Sequence, residues 1–116
     1  MSTSSQRTSP IDHAHLARYT LGNTALEHEV LGLFREQATP LLAELAGAQT
    51  PSDWKHYAHT LKGSARAVGA WQVGYAAEAA ERLSWNVDPG TRLAAIAALR
   101  IEIDSVSRYI GTLLAA

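Results

Sequence analysis

From Pro51 onward, apolar side chains recur at steps of three and four. Trp54, Tyr57, Ala58, Leu61, Ala65 and Val68 gather on one side of a helix when each residue turns the chain by 100°. A second stripe runs through Leu93, Ile96, Ala97, Ile103, Val106, Ile110 and Leu113, and a third through Leu33, Phe34, Leu41 and Leu45 on either side of Pro40. Three segments open with a capping residue followed by proline at the first helical position: Ser9-Pro10, Thr50-Pro51 and Asp88-Pro89. Asp12 and Asp53 follow the first two caps by three residues, where a carboxylate meets free backbone N–H groups and the positive end of the helix dipole. Thr24-Ala25-Leu26-Glu27 reads as a capping box. These signals predict helices over about 10–19, 24–46, 51–67, 70–86 and 89–114, with Gly22, Gly47, Gly69 and Gly90 near the joints. Pro40 removes one hydrogen bond inside the second helix and is expected to bend it rather than end it. Short joints between long amphipathic helices predict an all-α fold, an up-down antiparallel four-helix bundle with a short extra N-terminal helix.

Composition narrows this picture. The chain has 116 residues, the size of one domain, which is expected over 10–116 behind a flexible N-terminal tail over 1–9. Its 21 Ala and 14 Leu against 10 Val plus Ile favour helix, because Ala and Leu lose little side-chain freedom there. With no cysteine there is no thiolate chemistry, disulfide or Cys-bearing metal site, which agrees with a reducing cytoplasm. A formal net charge of -1 argues against nucleic acid as a partner. The longest apolar run, Leu93 to Leu99, is far below the roughly 20 residues of a membrane span, and Met1 to Ser9 lacks the apolar middle of a secretory signal.

The helix from Pro51 carries a second, basic side: Lys55, His59, Lys62, Gly63 and Arg66. Glycine in the middle of an exposed helix costs roughly 1 kcal/mol relative to alanine. Gly63 lies one turn past His59, where a missing side chain opens a notch through which a partner's backbone or a tetrahedral group could approach. Lys62 adds a mobile ammonium suited to a phosphoryl group, and Ser64 sits nearer the core boundary, placed to bond a backbone carbonyl or assist orientation. A neutral imidazole can attack phosphorus through one nitrogen while the other donates a hydrogen bond. If Glu81 on the next helix faces His59, its carboxylate accepts from Nδ1–H and leaves Nε2 as the nucleophile. The plain alternative is a solvated basic surface.

Ala58-His59-Thr60-Leu61-Lys62-Gly63-Ser64-Ala65, followed by Gly69-Ala70, resembles the signature of the histidine-containing phosphotransfer (HPt) domain family. The resemblance extends through Ile11-Asp12, Leu16, Leu26, Val30, Phe34 and Leu45, covering about residues 10 to 86, while the final helix is similar only in kind. It implies a four-helix bundle whose exposed histidine accepts a phosphoryl group from the aspartyl phosphate of a receiver domain and passes it to another receiver. Carried over by position, His59 is the phosphoacceptor, Lys62 steadies the phosphoryl oxygens, Gly63 admits the receiver's active site and Ser64 stands at the family's small hydroxyl position. Glu81 falls where some members have glutamine. Such a chain is a phosphohistidine carrier and not an enzyme, and needs no cofactor of its own. The receiver brings Mg2+ and the acidic pocket, and Lys55 and Arg66 steer toward the receiver's acidic face. The partners implied are receiver domains of response regulators or hybrid histidine kinases, and the chain is expected to be a cytoplasmic monomer.

The same residues admit other readings. His13, His15 and His28 fit exposed or boundary positions without chemistry. His56 and His59, three apart with Asp53 nearby, form at most part of a metal site, since zinc takes three or four protein ligands. Glu78 and Glu81 share a helix, yet no Glu-x-x-His completes a di-iron bundle. Trp54, Trp71, Trp85 and the tyrosines read as packing residues rather than a base-stacking surface. Two rivals stay open: a helical adaptor that binds a receiver or kinase without carrying phosphate, and the phosphoacceptor module of a larger histidine kinase. No nucleotide-binding glycine loop or room for an ATP domain is present, so a phosphoryl donor must be separate.

Overall fold

The computed structural model describes residues 9–115; the tail expected over 1–9 lies outside the described residues except for Ser9. The described residues form five helices and no strand: α1 (His13–Thr20), α2 (Thr24–Ala46), α3 (Pro51–Val68), α4 (Trp71–Glu81) and α5 (Pro89–Ala115). Helices α2, α3, α4 and α5 close a ring, each packed on the next and α5 on α2, while α1 lies across α2 and α3.

Helix starts follow local chemistry, with two corrections. Thr50 caps α3 as expected, its side chain accepting from the Asp53 N–H, with Pro51 in the first turn. The first helix, however, starts at His13 rather than at residue 10. Asp12 is its cap, accepting from the His15 N–H, because Ser9 turns its hydroxyl onto the Ile11 carbonyl. Asn23, not Thr24, caps α2 by accepting from the Leu26 N–H, and Glu27 instead accepts from the Thr20 hydroxyl. Helix α2 continues through Pro40.

The fourth helix is shorter than the sequence suggests, ending at Glu81 instead of residue 86. In the connection to α5, Ser84 Oγ accepts from the Asn86 N–H, an alternative to the helical ladder that serine readily offers. The Arg92 guanidinium donates to the carbonyls of Trp85 and Val87 and lies 4.2 Å over the Trp85 ring, fixing the connection against α5.

The core is one cluster. Trp54, Ala58, Leu61, Ala65 and Val68 of α3 are buried and Tyr57 is half-buried. In α5 the buried seam is Ile96, Leu99, Ile103, Val106 and Ile110, with Leu113 half-buried. Leu93 and Ala97, expected inside, are exposed, because the seam position in that first turn belongs to Arg92 and both residues turn about 100° or more away from it. In α2 the stripe is Leu31, Phe34, Ala38, Leu42 and Leu45, leaving Leu33 exposed and Leu41 half-buried.

The α3–α4 joint shapes the rest of the molecule. Gly69 ends α3 in the left-handed region at φ 81°, and a Cβ there would stand 3.0 Å from the Asp12 carbonyl oxygen. Asp12 N–H donates to the Gly69 carbonyl and Trp71 Nε1 donates to the Asp12 carboxylate, tying the chain before α1 to this corner. Beyond it, α3 and α4 approach closely through small residues, with Gly74 against Ala65 and Arg66.

Candidate functional site

Local rules place His59 in the middle of α3, on the side opposite Ala58, Leu61 and Ala65, so core packing holds the helix while the imidazole faces outward. Its side chain is 69% exposed. Helix α4 supplies the polar contact: His59 Nδ1 lies 3.0 Å from Glu81 Oε2, and Lys62 Nζ lies 2.6 Å from Glu81 Oε1. The side chains of Lys62 and Glu81 are only 16% and 21% exposed. The ammonium expected to be mobile is therefore fixed at the floor of the site, because a carboxylate from the neighbouring helix stands within reach of it.

Glu81 is itself held in place. It is the last residue of α4, and Trp54 Nε1 donates to the carbonyl of Ala80 at 2.7 Å, beside the Leu83 N–H that donates to the same oxygen at 3.2 Å. A buried indole from α3 thus fixes the turn of α4 that carries the carboxylate. The hydrogen bond from Lys62, seconded by that from His59, holds the Glu81 carboxyl below the usual range against the opposing effect of burial. An ionised carboxylate only accepts hydrogen bonds, so Nδ1 of His59 carries the hydrogen and Nε2 presents its lone pair. Nε2 has no hydrogen-bond partner among the described residues.

Gly63 is exposed, and a Cβ built on it would meet nothing within 4 Å. Packing within the chain gives no reason for glycine at this helical position. Ser64 is not brought to the imidazole. It stands about 140° around α3 from His59 and lines a groove with Tyr57, Thr60, Pro40 and Leu41 on the α2 side. Lys55 is exposed and has no carboxylate within 4 Å among the described residues, whereas Arg66 pairs with Glu78 at 3.3 Å, and Glu78 also holds Arg82 at 3.0 Å. The side that reads as uniformly basic along α3 is therefore interleaved with two carboxylates from α4. Glu78 and Arg82 were missed as neighbours of this surface, and only the pairing of the two helices reveals them.

His56 and His59 gain no further ligands. Among the described residues no group of three His, Cys, Asp or Glu side chains stands close enough to hold a metal ion. His13 hydrogen-bonds Tyr109 through Nε2, and His15 packs edge-on against Trp71 at 4.8 Å.

The bundle thus displays the His59 imidazole on a packed helix, oriented by a carboxylate from α4, with an ammonium and a glycine a turn away. The model of the Hpt domain family matches residues 29–109, well over half of the chain, and the chain belongs to that family. The match takes in most of α5, which the sequence motif alone did not reach, and begins later than residue 10. Comparison with curated proteins gave no match, and neither did comparison with solved structures. Membership gives the chain a histidine phosphotransfer role in two-component signalling, in a family of phosphocarrier modules that interact with receiver domains in phosphorelays. Among the described residues no helix is long and apolar enough to cross a membrane.

Proposed function

We propose that this chain is a phosphorelay intermediate: Nε2 of His59 accepts a phosphoryl group from the aspartyl phosphate of one receiver domain and yields it to the aspartate of another. The observation that carries the reading is the exposed imidazole whose Nδ1 is engaged by Glu81, which leaves Nε2 as the nucleophile. In the accepting step the Nε2 lone pair forms an N–P bond while the P–O bond to the aspartyl carboxylate breaks, and that carboxylate leaves with the bonding electrons. The transfer is mostly positioning and charge neutralisation, so a bundle without catalytic machinery suffices when the receiver brings Mg2+ and its acidic pocket. Lys62 stands one turn from His59 to meet phosphoryl oxygens, and its three N–H donors allow it to do so without releasing Glu81. Gly63 supplies the clearance, since its missing side chain serves no packing within the chain.

Ser64 has no assigned step, because it lies on the α2 side. Lys55 is the stronger candidate for steering an acidic receiver, with Arg66 contributing less through its pairing with Glu78. The chain acts as a monomer in the cytoplasm and holds no cofactor in this reading. The direct test incubates the protein with a phosphorylated receiver and follows acid-labile, alkali-stable label, with His59→Gln as control. Label on the wild type and none on the variant is expected. An unlabelled wild type across several receivers sinks the carrier role and leaves the silent adaptor.

A further inference from the structure

Phosphorylation at Nε2 changes what the far side of the ring must do, and Glu81 stands on that far side. The following rests on the carrier reading above. A neutral imidazole that attacks phosphorus through Nε2 and keeps the hydrogen on Nδ1 becomes a cation, because the new bond is made with the ring's own electron pair. If Nδ1 retains its proton, the next transfer breaks the N–P bond and releases neutral imidazole. If water removes that proton first, the same step must release an imidazolate anion, a far poorer leaving group. The position of one proton therefore separates a ready phosphoryl donor from a store.

We propose that the fixed negative charge of Glu81, and not only its ability to accept a hydrogen bond, keeps the proton on Nδ1 of phosphorylated His59, so that the phosphoryl group remains readily transferable near neutral pH. The geometry is specific to this role. Oε2 faces Nδ1 at 3.0 Å, and the carboxylate is partly sheltered from water, so its charge acts on the ring with less screening than at an open surface. The other charges around the site are accounted for. On α3, Lys62 offsets part of the Glu81 charge through Oε1, and Lys55 and His56 lie a turn before His59. On α4, Glu78 is shared by Arg66 and Arg82. Helices α1 and α2 bring no carboxylate within 4 Å of the ring among the described residues. Among the described residues Glu81 is thus the one anion that faces Nδ1. It is a positioning residue, acting on the phosphoryl group through His59. Glutamine at this place would keep an acceptor for Nδ1–H and lose the charge.

The test compares wild type with Glu81→Gln, each phosphorylated on His59 from a phosphorylated receiver. Transfer to a second receiver is timed from about pH 5.5 to about pH 9, and Nδ1 is followed by 15N NMR. Taking the ratio of the two rates cancels the receiver's own pH dependence. An opposite charge at this range favours a protonated ring by a factor on the order of ten. The variant is therefore expected to transfer roughly tenfold more slowly at the alkaline end. It should rejoin wild type at the acidic end, where both rings are protonated, and lose the Nδ1 proton at lower pH. Equal rates at every pH overturn the proposal. So does slowing by one constant factor throughout, the signature of disturbed packing or of a released Lys62. Failure of wild type to take label on His59 removes the carrier reading itself, and this proposal with it.

Discussion

Gly63 allows stability and the proposed function to be tested apart at a single residue. Among the described residues no atom outside its own helical backbone would contact a Cβ there, so alanine should fit. It should stabilise the bundle by about 0.5–1 kcal/mol through the lost backbone freedom of glycine. A larger side chain, as in Gly63→Leu, should leave folding intact yet obstruct the partner beside His59. Urea unfolding and a timed transfer assay on the two variants check this. A rise in stability for alanine together with a large loss of transfer for leucine is the expected pair, and unchanged transfer in Gly63→Leu would exclude the proposed clearance. Lys62 shows the opposite case, a residue whose chemistry is plain from its type and whose state is not. Periodicity puts it beside His59, but only the carboxylate from α4 makes it a fixed ion-pair partner instead of a mobile surface cation.

Among the elements, the α3–α4 hairpin makes the site. His59 stands ten residues before Gly69 and Glu81 twelve after it, so at 1.5 Å per residue the two lie at nearly the same height, about 15–18 Å from the corner, once the chain reverses there. That much is legible in the sequence, given the turn at Gly69-Ala70. The end of α4 is not, since Arg82 to Asn86 carries no strong stop signal and the helix is ended by contacts of Ser84 and Arg92. Trp54 couples the two helices at that end. Trp54→Phe keeps the aromatic ring and leaves the Ala80 carbonyl without its indole donor. A loss of about 0.5–1.5 kcal/mol is expected in denaturant unfolding, since the Leu83 N–H still donates to that carbonyl. It should be accompanied by slower phosphoryl acceptance as the turn carrying Glu81 loosens. Transfer equal to wild type despite lowered stability would show that the indole supports the fold and not the site.

At the scale of the whole molecule, charge governs both encounter and acid stability. Reversing Lys55 and Arg66 together to glutamate should slow phosphoryl exchange with a receiver and flatten its dependence on salt, because the steering field is lost. Stopped-flow measurement at low and high salt checks this, and rates unaffected in both conditions would rule out docking through this face. Part of the acid stability comes from the corner where α1 begins. The hydrogen bond from Trp71, with that from the His15 N–H, holds the Asp12 carboxyl below its ordinary value. A carboxyl depressed by folding binds protons more weakly in the native state, so its contribution is present above the unfolded pKa and is lost as pH falls through the folded one. Asp12→Asn should therefore weaken the protein at neutral pH and narrow its stability difference between neutral and acidic solution, as read by urea midpoints. A variant that matches wild type at neutral pH would remove Asp12 from the account.

The amino-acid order alone determined the number of helices, most of their starts, the buried stripe of α3 and the outward place of His59, because these depend on residues three or four apart in one helix and on caps a few residues away. It offered Glu81 as a partner only on the condition that the next helix turns that residue toward His59, a condition the structure meets. Tertiary structure alone decided that Lys62 is sheltered against Glu81, that Arg66 shares Glu78 with Arg82, that Ser64 faces α2, and that Arg92 lies over the Trp85 ring. Each of these depends on side chains from a second helix or loop. Their distances are set by how closely two packed surfaces approach, and no periodicity within one segment contains that information.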